Sequence, residues 1–153
     1  MVSGGGDNMH YVGDQRAFKN FHFSCEAKST QGSFAGILFH VRGDPATPKN
    51  YGFMVGINTS NEATNKTGTL WNVKHIKQSP VKDEEWFLQE IIVKGKQVIV
   101  KVNGKIMVDY NESAPKKKNT PQTNKLLGEG TFVLSGRSMN RSTYFRNIKV
   151  KRL

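Results

Sequence analysis

The chain is predicted to be all-β, folded as a two-sheet antiparallel β-sandwich. Three observations carry this. Segment after segment alternates apolar and polar residues with period two. Fifteen glycines and repeated Asn-Gly-like breaks set frequent turns between those segments. No stretch shows the 3.6-residue periodicity of an amphipathic helix. Two antiparallel layers packed face to face are the economical way to bury eight to ten such strands.

The elements follow in order. In "FKNFHFSCEAK" (18–28), Phe21, Phe23 and Cys25 share one face. "SFAGILFHVR" (33–42) is apolar on both faces until His40 and Arg42, so it is predicted to be central. The prolines of "DPATPKN" (44–50) predict a loop. "YGFMVGIN" (51–58) is a strand that sets Phe53, Val55 and Ile57 against Met54, Gly56 and Asn58. A polar loop (59–68) leads to "TLWNVKHI" (69–76), read as extended. The run from Trp86 to Glu112 holds three strands and two tight turns. Asn103-Gly104 is the strongest hairpin signal, because both residues tolerate positive φ. After a long loop (113–130), "TFVLSGRS" and "TYFRNIKVKRL" are expected to pair as a final hairpin.

Composition bounds the function. The 153 residues, 36% hydrophobic, suit one globular β-sandwich domain over 1–153. Twenty-three Lys+Arg against twelve Asp+Glu give +11. A spread of lysines over strands and loops reads as a solubilising surface rather than a nucleic-acid footprint, so no nucleic-acid partner is expected. A basic polyanion-binding domain stays open as a reading of the charge, and steep loss of affinity with salt would reveal it. Cys25 is the single cysteine, so no intramolecular disulfide forms; it reads as a small buried hydrophobe. No run approaches the roughly 20 apolar residues of a membrane span. No His-x-x-x-His, cysteine pair or calcium-loop array is present, so neither a metal nor a cofactor is expected. The oligomeric state is not readable.

The motifs, taken together, resemble a known family. "SGGGDNMHYVG", "AFKNFHFSCEAK", "SFAGILFHVR" (through Ser33 and Gly36), "NKTGTLWNV", the Trp86 strand, "VKVNGKIMVDY" and "FRNIKVKRL" follow the order and spacing of the 3-keto-disaccharide hydrolase domain. That family is a concanavalin A-like jelly roll, common in secreted or periplasmic proteins of Bacteroidetes and Planctomycetes. The likeness runs from about Gly4 to Leu153, and the family's usual first strand is missing upstream. The resemblance implies a carbohydrate-active hydrolase working on a 3-keto-glycoside or related disaccharide. The ketone acidifies the C2 proton, a base removes it, and the glycosidic oxygen leaves from C1. It also implies a secreted or periplasmic location. A non-catalytic carbohydrate-binding module on the same scaffold is the alternative. The chain departs from the family where it usually reads Gly-Tyr-Glu-x-Gln-Ile. Here Gly52-Phe53-Met54-Val55-Gly56-Ile57 puts a thioether in place of the glutamate and a glycine in place of the glutamine. His40 stands where an arginine often ends the preceding strand, with Arg42 two residues on.

Candidate residues follow from residue type and placement. His40, His75 and Arg42 are the catalytic candidates, because an imidazole titrates near neutrality and a guanidinium stabilises an oxyanion. Against that, His40 also fits a strand-end histidine bonded to a loop carbonyl. Trp71, Asn72 and Lys74 could bind substrate beside His75, with the indole as a sugar-stacking ring; Trp71 could equally be core. His10, next to the glycine-rich entry, and Tyr51 are further substrate-binding candidates. Arg146 shares strand parity with Ile148 and Val150 and is therefore expected on the core face, where a carboxylate partner or a cleft must receive its charge.

Overall fold

The computed structural model describes residues 2–3, 8–11, 13, 17–43, 48–50, 52–60, 64–113, 127–136 and 141–153. Among them lie eleven strands and no helix. The strands are β1 (Val2–Ser3), β2 (Asn8–His10), β3 (Phe21–Ser29), β4 (Phe34–Gly43), β5 (Pro48–Asn50), β6 (Phe53–Asn58), β7 (Phe87–Lys94), β8 (Gln97–Val102), β9 (Lys105–Asn111), β10 (Thr131–Gly136) and β11 (Ser142–Arg152).

They form two antiparallel sheets. The first has six strands in the order β1-β11-β3-β7-β8-β9. The second runs β2-β10-β4, with β5 and β6 both pairing with β4. This is a jelly-roll sandwich. Strict alternation along β3 and β7 explains the first layer: Phe21, Phe23, Cys25 and Ala27 are buried while their neighbours are partly exposed, and β7 repeats the pattern. Ile37, Phe39, Phe53, Val55 and Ile57 from the second sheet meet them in one core. Aromatic edges stitch the layers. Phe21 stands edge-on to Phe132 at 4.8 Å and to Phe39 at 5.7 Å. The β8–β9 turn forms as the sequence predicts, with φ of 49° at Asn103 and 77° at Gly104.

Four expectations are corrected. The "DPATPKN" loop contains a short strand, β5, which pairs with the end of β4. "TLWNVKHI" is not extended. Leu70 bridges both Val55 and Lys74, so residues 70–74 close a tight turn against the outer edge of β6. The expected terminal hairpin does not form: β10 pairs with β4 and β2 in one sheet, while β11 pairs with β3 and β1 in the other. A jelly roll sends successive strands across the core, and period two cannot tell that crossing from a hairpin. Finally, Arg146 is not on the core face. A bulge between Arg146 and Lys149, with Asn147 at φ 51°, inserts an extra residue and reverses the parity.

Candidate functional site

The outer face of the second sheet departs most from a plain solvated surface. Gly36 and Gly56 lie opposite each other across β4 and β6. Their missing side chains leave two shallow seats that neighbours fill. The tip of Met54 lies over Gly36, where an added Cβ would sit 2.2 Å from the Met54 Cε. The Trp71 indole lies over Gly56, with Nε1 2.9 Å from where a Cβ would be. Trp71 gets there because its backbone N–H donates to the Met54 carbonyl, 3.0 Å away, which holds the 70–74 turn on the edge of β6. The Phe34 ring packs against it at 5.6 Å. Leu38, Val41, Met54 and Val133 complete a second, smaller apolar cluster, separate from the main core. The indole N–H is buried and has no acceptor. An unspent donor of that kind stands out, because buried polar groups are normally bonded.

Around this platform the turn carries polar groups. Asn72, at φ 63°, and Lys74 are exposed. His75 is exposed and its Nδ1 is bonded to the Asn65 side chain. Trp71, Asn72, Lys74 and His75 are therefore together on one turn, as the sequence spacing requires.

His40 and Arg42 are elsewhere. Val133 faces Leu38 while Thr131 faces Val41, so β4 carries one residue more than β10 between those pairs. His40 absorbs the excess at φ 56°. This bulge turns its ring away from the outer face and into the core, against Phe21 at 5.6 Å and Phe39 at 5.3 Å. Both ring nitrogens are engaged. Gly128 N donates to Nδ1 at 3.2 Å, which makes Nδ1 an acceptor. Nε2 therefore carries the proton and donates to the Lys19 carbonyl at 3.0 Å. Burial holds the imidazole below its ordinary value, with the Arg42 charge adding to the effect and the Lys19 bond opposing it. The ring is thus a neutral brace, with no lone pair left for a substrate proton. Arg42 acts alongside it: Nε donates to the Glu129 carbonyl at 2.9 Å. Together the two side chains fasten the segment that enters β10.

Arg146 lies on the outer face of the opposite sheet. It grips Glu26, with Nε at 2.7 Å and Nη2 at 2.6 Å from Oε2. Its guanidinium stacks over Trp86 at 4.0 Å. Asn147 donates to the other Glu26 oxygen at 2.6 Å. These bonds, Asn147 first and Arg146 second, hold the Glu26 carboxyl below the usual carboxylate range. His10 is half-buried on β2, and its Nδ1 has no partner. It lines an open apolar cleft between the sheets with Met9, Phe23, Ile148 and Val150. Tyr51 lies outside the described residues. Among the described residues no cluster of three or more His, Cys, Asp or Glu could hold a metal, and no helix is long and apolar enough to cross a membrane.

Sequence reasoning missed two residues that now flank Trp71. Phe34 lies in the strand that reads as apolar on both faces and has no assigned role there. Lys66 lies within "NKTGTLWNV" but has no assigned role in it; the fold sets its carbonyl beside Gly56.

The sequence profile of the 3-keto-alpha-glucoside-1,2-lyase-like domain matches residues 1–151. Among solved structures, a candidate glycosyl hydrolase from Parabacteroides distasonis superposes with a TM-score of 0.77 at 19% identity, over 99% of this chain and 78% of that one. A second candidate glycosyl hydrolase from the same organism gives 0.73 at 20% identity, over 95% and 87%. The carbohydrate-binding module CBM66 of Bacillus subtilis gives 0.65 at 10% identity, over 98% and 84%. At these identities the likeness is one of fold. No curated protein sequence matches the chain.

Proposed function

Because the chain belongs to the family of 3-keto-alpha-glucoside-1,2-lyase-like domains, we propose that it is a carbohydrate-binding domain that holds a glycoside on the Trp71 platform without cleaving it. The observation that carries this reading is the Trp71 indole. Its ring is half-buried and packed on Phe34, and its Nε1 edge is seated over Gly56, where any larger residue would push it out. A half-exposed aromatic ring suits a sugar, whose C–H faces are apolar.

The chemistry supports binding over cleavage. Elimination from a 3-keto-glycoside breaks C2–H and the C1–oxygen bond and forms C1=C2 conjugated with the ketone. The proton needs a base, and the departing oxygen needs an acid. Met54 stands where the family's glutamate would be, and a thioether cannot take that proton. It is buried among Leu38, Val41 and Val133. His40 has both nitrogens committed to the backbone.

One observation favours cleavage as a second reading. His75 is exposed on the same turn as Trp71, so its imidazole could serve as the base of a hydrolase. Incubation with a panel of 3-keto-glycosides, monitored by NMR for released sugar and by tryptophan fluorescence for binding, separates the two. Binding that is lost in Trp71→Ala, with no release, supports the binding domain. Release that disappears in His75→Ala overturns it in favour of the enzyme.

A further inference from the structure

A second site adjoins the platform. The segment that carries Trp71 also carries Lys66, whose carbonyl lies near Gly56. The Lys66 side chain points the other way, into an open, polar cavity of about 450 Å3 that Lys77, Gln78, Ser79, Lys82 and Asp83 also line. Lys66 is only 7% exposed. Its ammonium donates to the Ser60 carbonyl, and none of the ion pairs among the described residues includes it. Among the described residues this buried ammonium has that one carbonyl partner, and a buried charge calls for an anion beside it. Among the described residues no carboxylate pairs with it. The one carboxylate in the cavity, Asp83, accepts a bond from the Thr59 hydroxyl. Among the described lining residues, three ammonium groups stand against one carboxylate, an electropositive set. We infer that this cavity binds an oxyanion group, the carboxylate or sulfate of an acidic sugar whose ring lies on the Trp71 platform. The sugar part rests on the carbohydrate reading above; the oxyanion part stands on Lys66 and its surroundings alone.

The test is an amide NMR titration of the whole chain with glucuronate, glucose 6-sulfate, inorganic sulfate and, as neutral control, glucose. The expected result is that both acidic sugars shift the amides of residues 77–83, which line the cavity, while glucose shifts only those around Trp71. The affinity should fall at least about tenfold in Lys66→Met and in Lys77→Ala/Lys82→Ala, as when a charge-assisted hydrogen bond is lost. The double variant alters only exposed lysines, so it remains informative if the buried substitution unfolds the protein. Acidic sugars that shift these amides no more than glucose, or that bind the double variant undiminished, would overturn the site. Inorganic sulfate shifting the amides while neither acidic sugar does would overturn the sugar assignment. In Trp71→Ala the response to inorganic sulfate should persist, so failure of the platform and failure of the cavity are distinguishable.

Discussion

Replacing His40 by alanine decides between a brace and a base. The substitution removes two part-buried hydrogen bonds, to the Lys19 carbonyl and from the Gly128 N–H. Leaving a buried hydrogen-bonding group unpaired costs about 1–3 kcal/mol each. Loss of the ring contacts with Phe21 and Phe39 adds to this, for a total destabilisation on the order of 3–5 kcal/mol. Alanine tolerates the left-handed backbone at φ 56° less well than histidine, which adds to the loss. Urea unfolding followed by tryptophan fluorescence and far-UV circular dichroism measures the difference. The pH dependence gives a second handle. The folded-state pKa of His40 is depressed, so below the ordinary value near 6.5 the unfolded chain binds the extra proton first. The stabilisation is therefore full above that pH and is lost as pH falls toward the folded value. Wild type should show this loss and His40→Ala should not. An alanine variant within about 1 kcal/mol of wild type, far below the loss of two part-buried bonds, that nevertheless abolished turnover of a 3-keto-glycoside would refute the brace and restore His40 as a base.

Three further outcomes are expected. Gly56→Ala places a Cβ 2.9 Å from the Trp71 nitrogen; the indole must lift, so glycoside affinity should fall and Trp fluorescence should shift, while the unfolding transition persists. Cys25 is buried, and burial, reinforced by the neighbouring Glu26 charge, pushes its thiol up to about 12; Ellman's reagent at pH 8 should leave the native protein unmodified and label one thiol per chain in urea. Glu26 is held below the usual carboxylate range by Asn147 and Arg146, so its contribution is present above the ordinary glutamate value near 4.3 and is lost as pH falls through the folded one; acid-unfolding curves of Glu26→Gln should lack that component.

How much was legible from residues alone varies by element. The β3 face and the Asn103-Gly104 turn could be read directly, because each depends on local period and backbone tolerance only. Placement of the site could not. The 70–74 turn owes its shape to bonds with β6, a partner distant from any local signal. The His40 and Asn147 bulges each move one residue out of register, and a one-residue slip sends every following side chain to the other face. Histidine and asparagine are among the residues that tolerate positive φ, so the sequence allowed these bulges without locating them.

Alternation of side chains thus determined, from the sequence by itself, that this protein is a two-layered β structure, with Phe21, Phe23 and Cys25 on one shared face and Phe53, Val55 and Ile57 on another. Membership of a sugar-handling family was also legible in the order of the motifs. The tertiary structure alone decided that His40 braces a loop, that Arg146 grips Glu26 on the outside, and that Trp71 and Lys66 flank one glycine. Those outcomes depend on bulges and on strands crossing between sheets. Contacts between distant segments set both, and no local pattern encodes them.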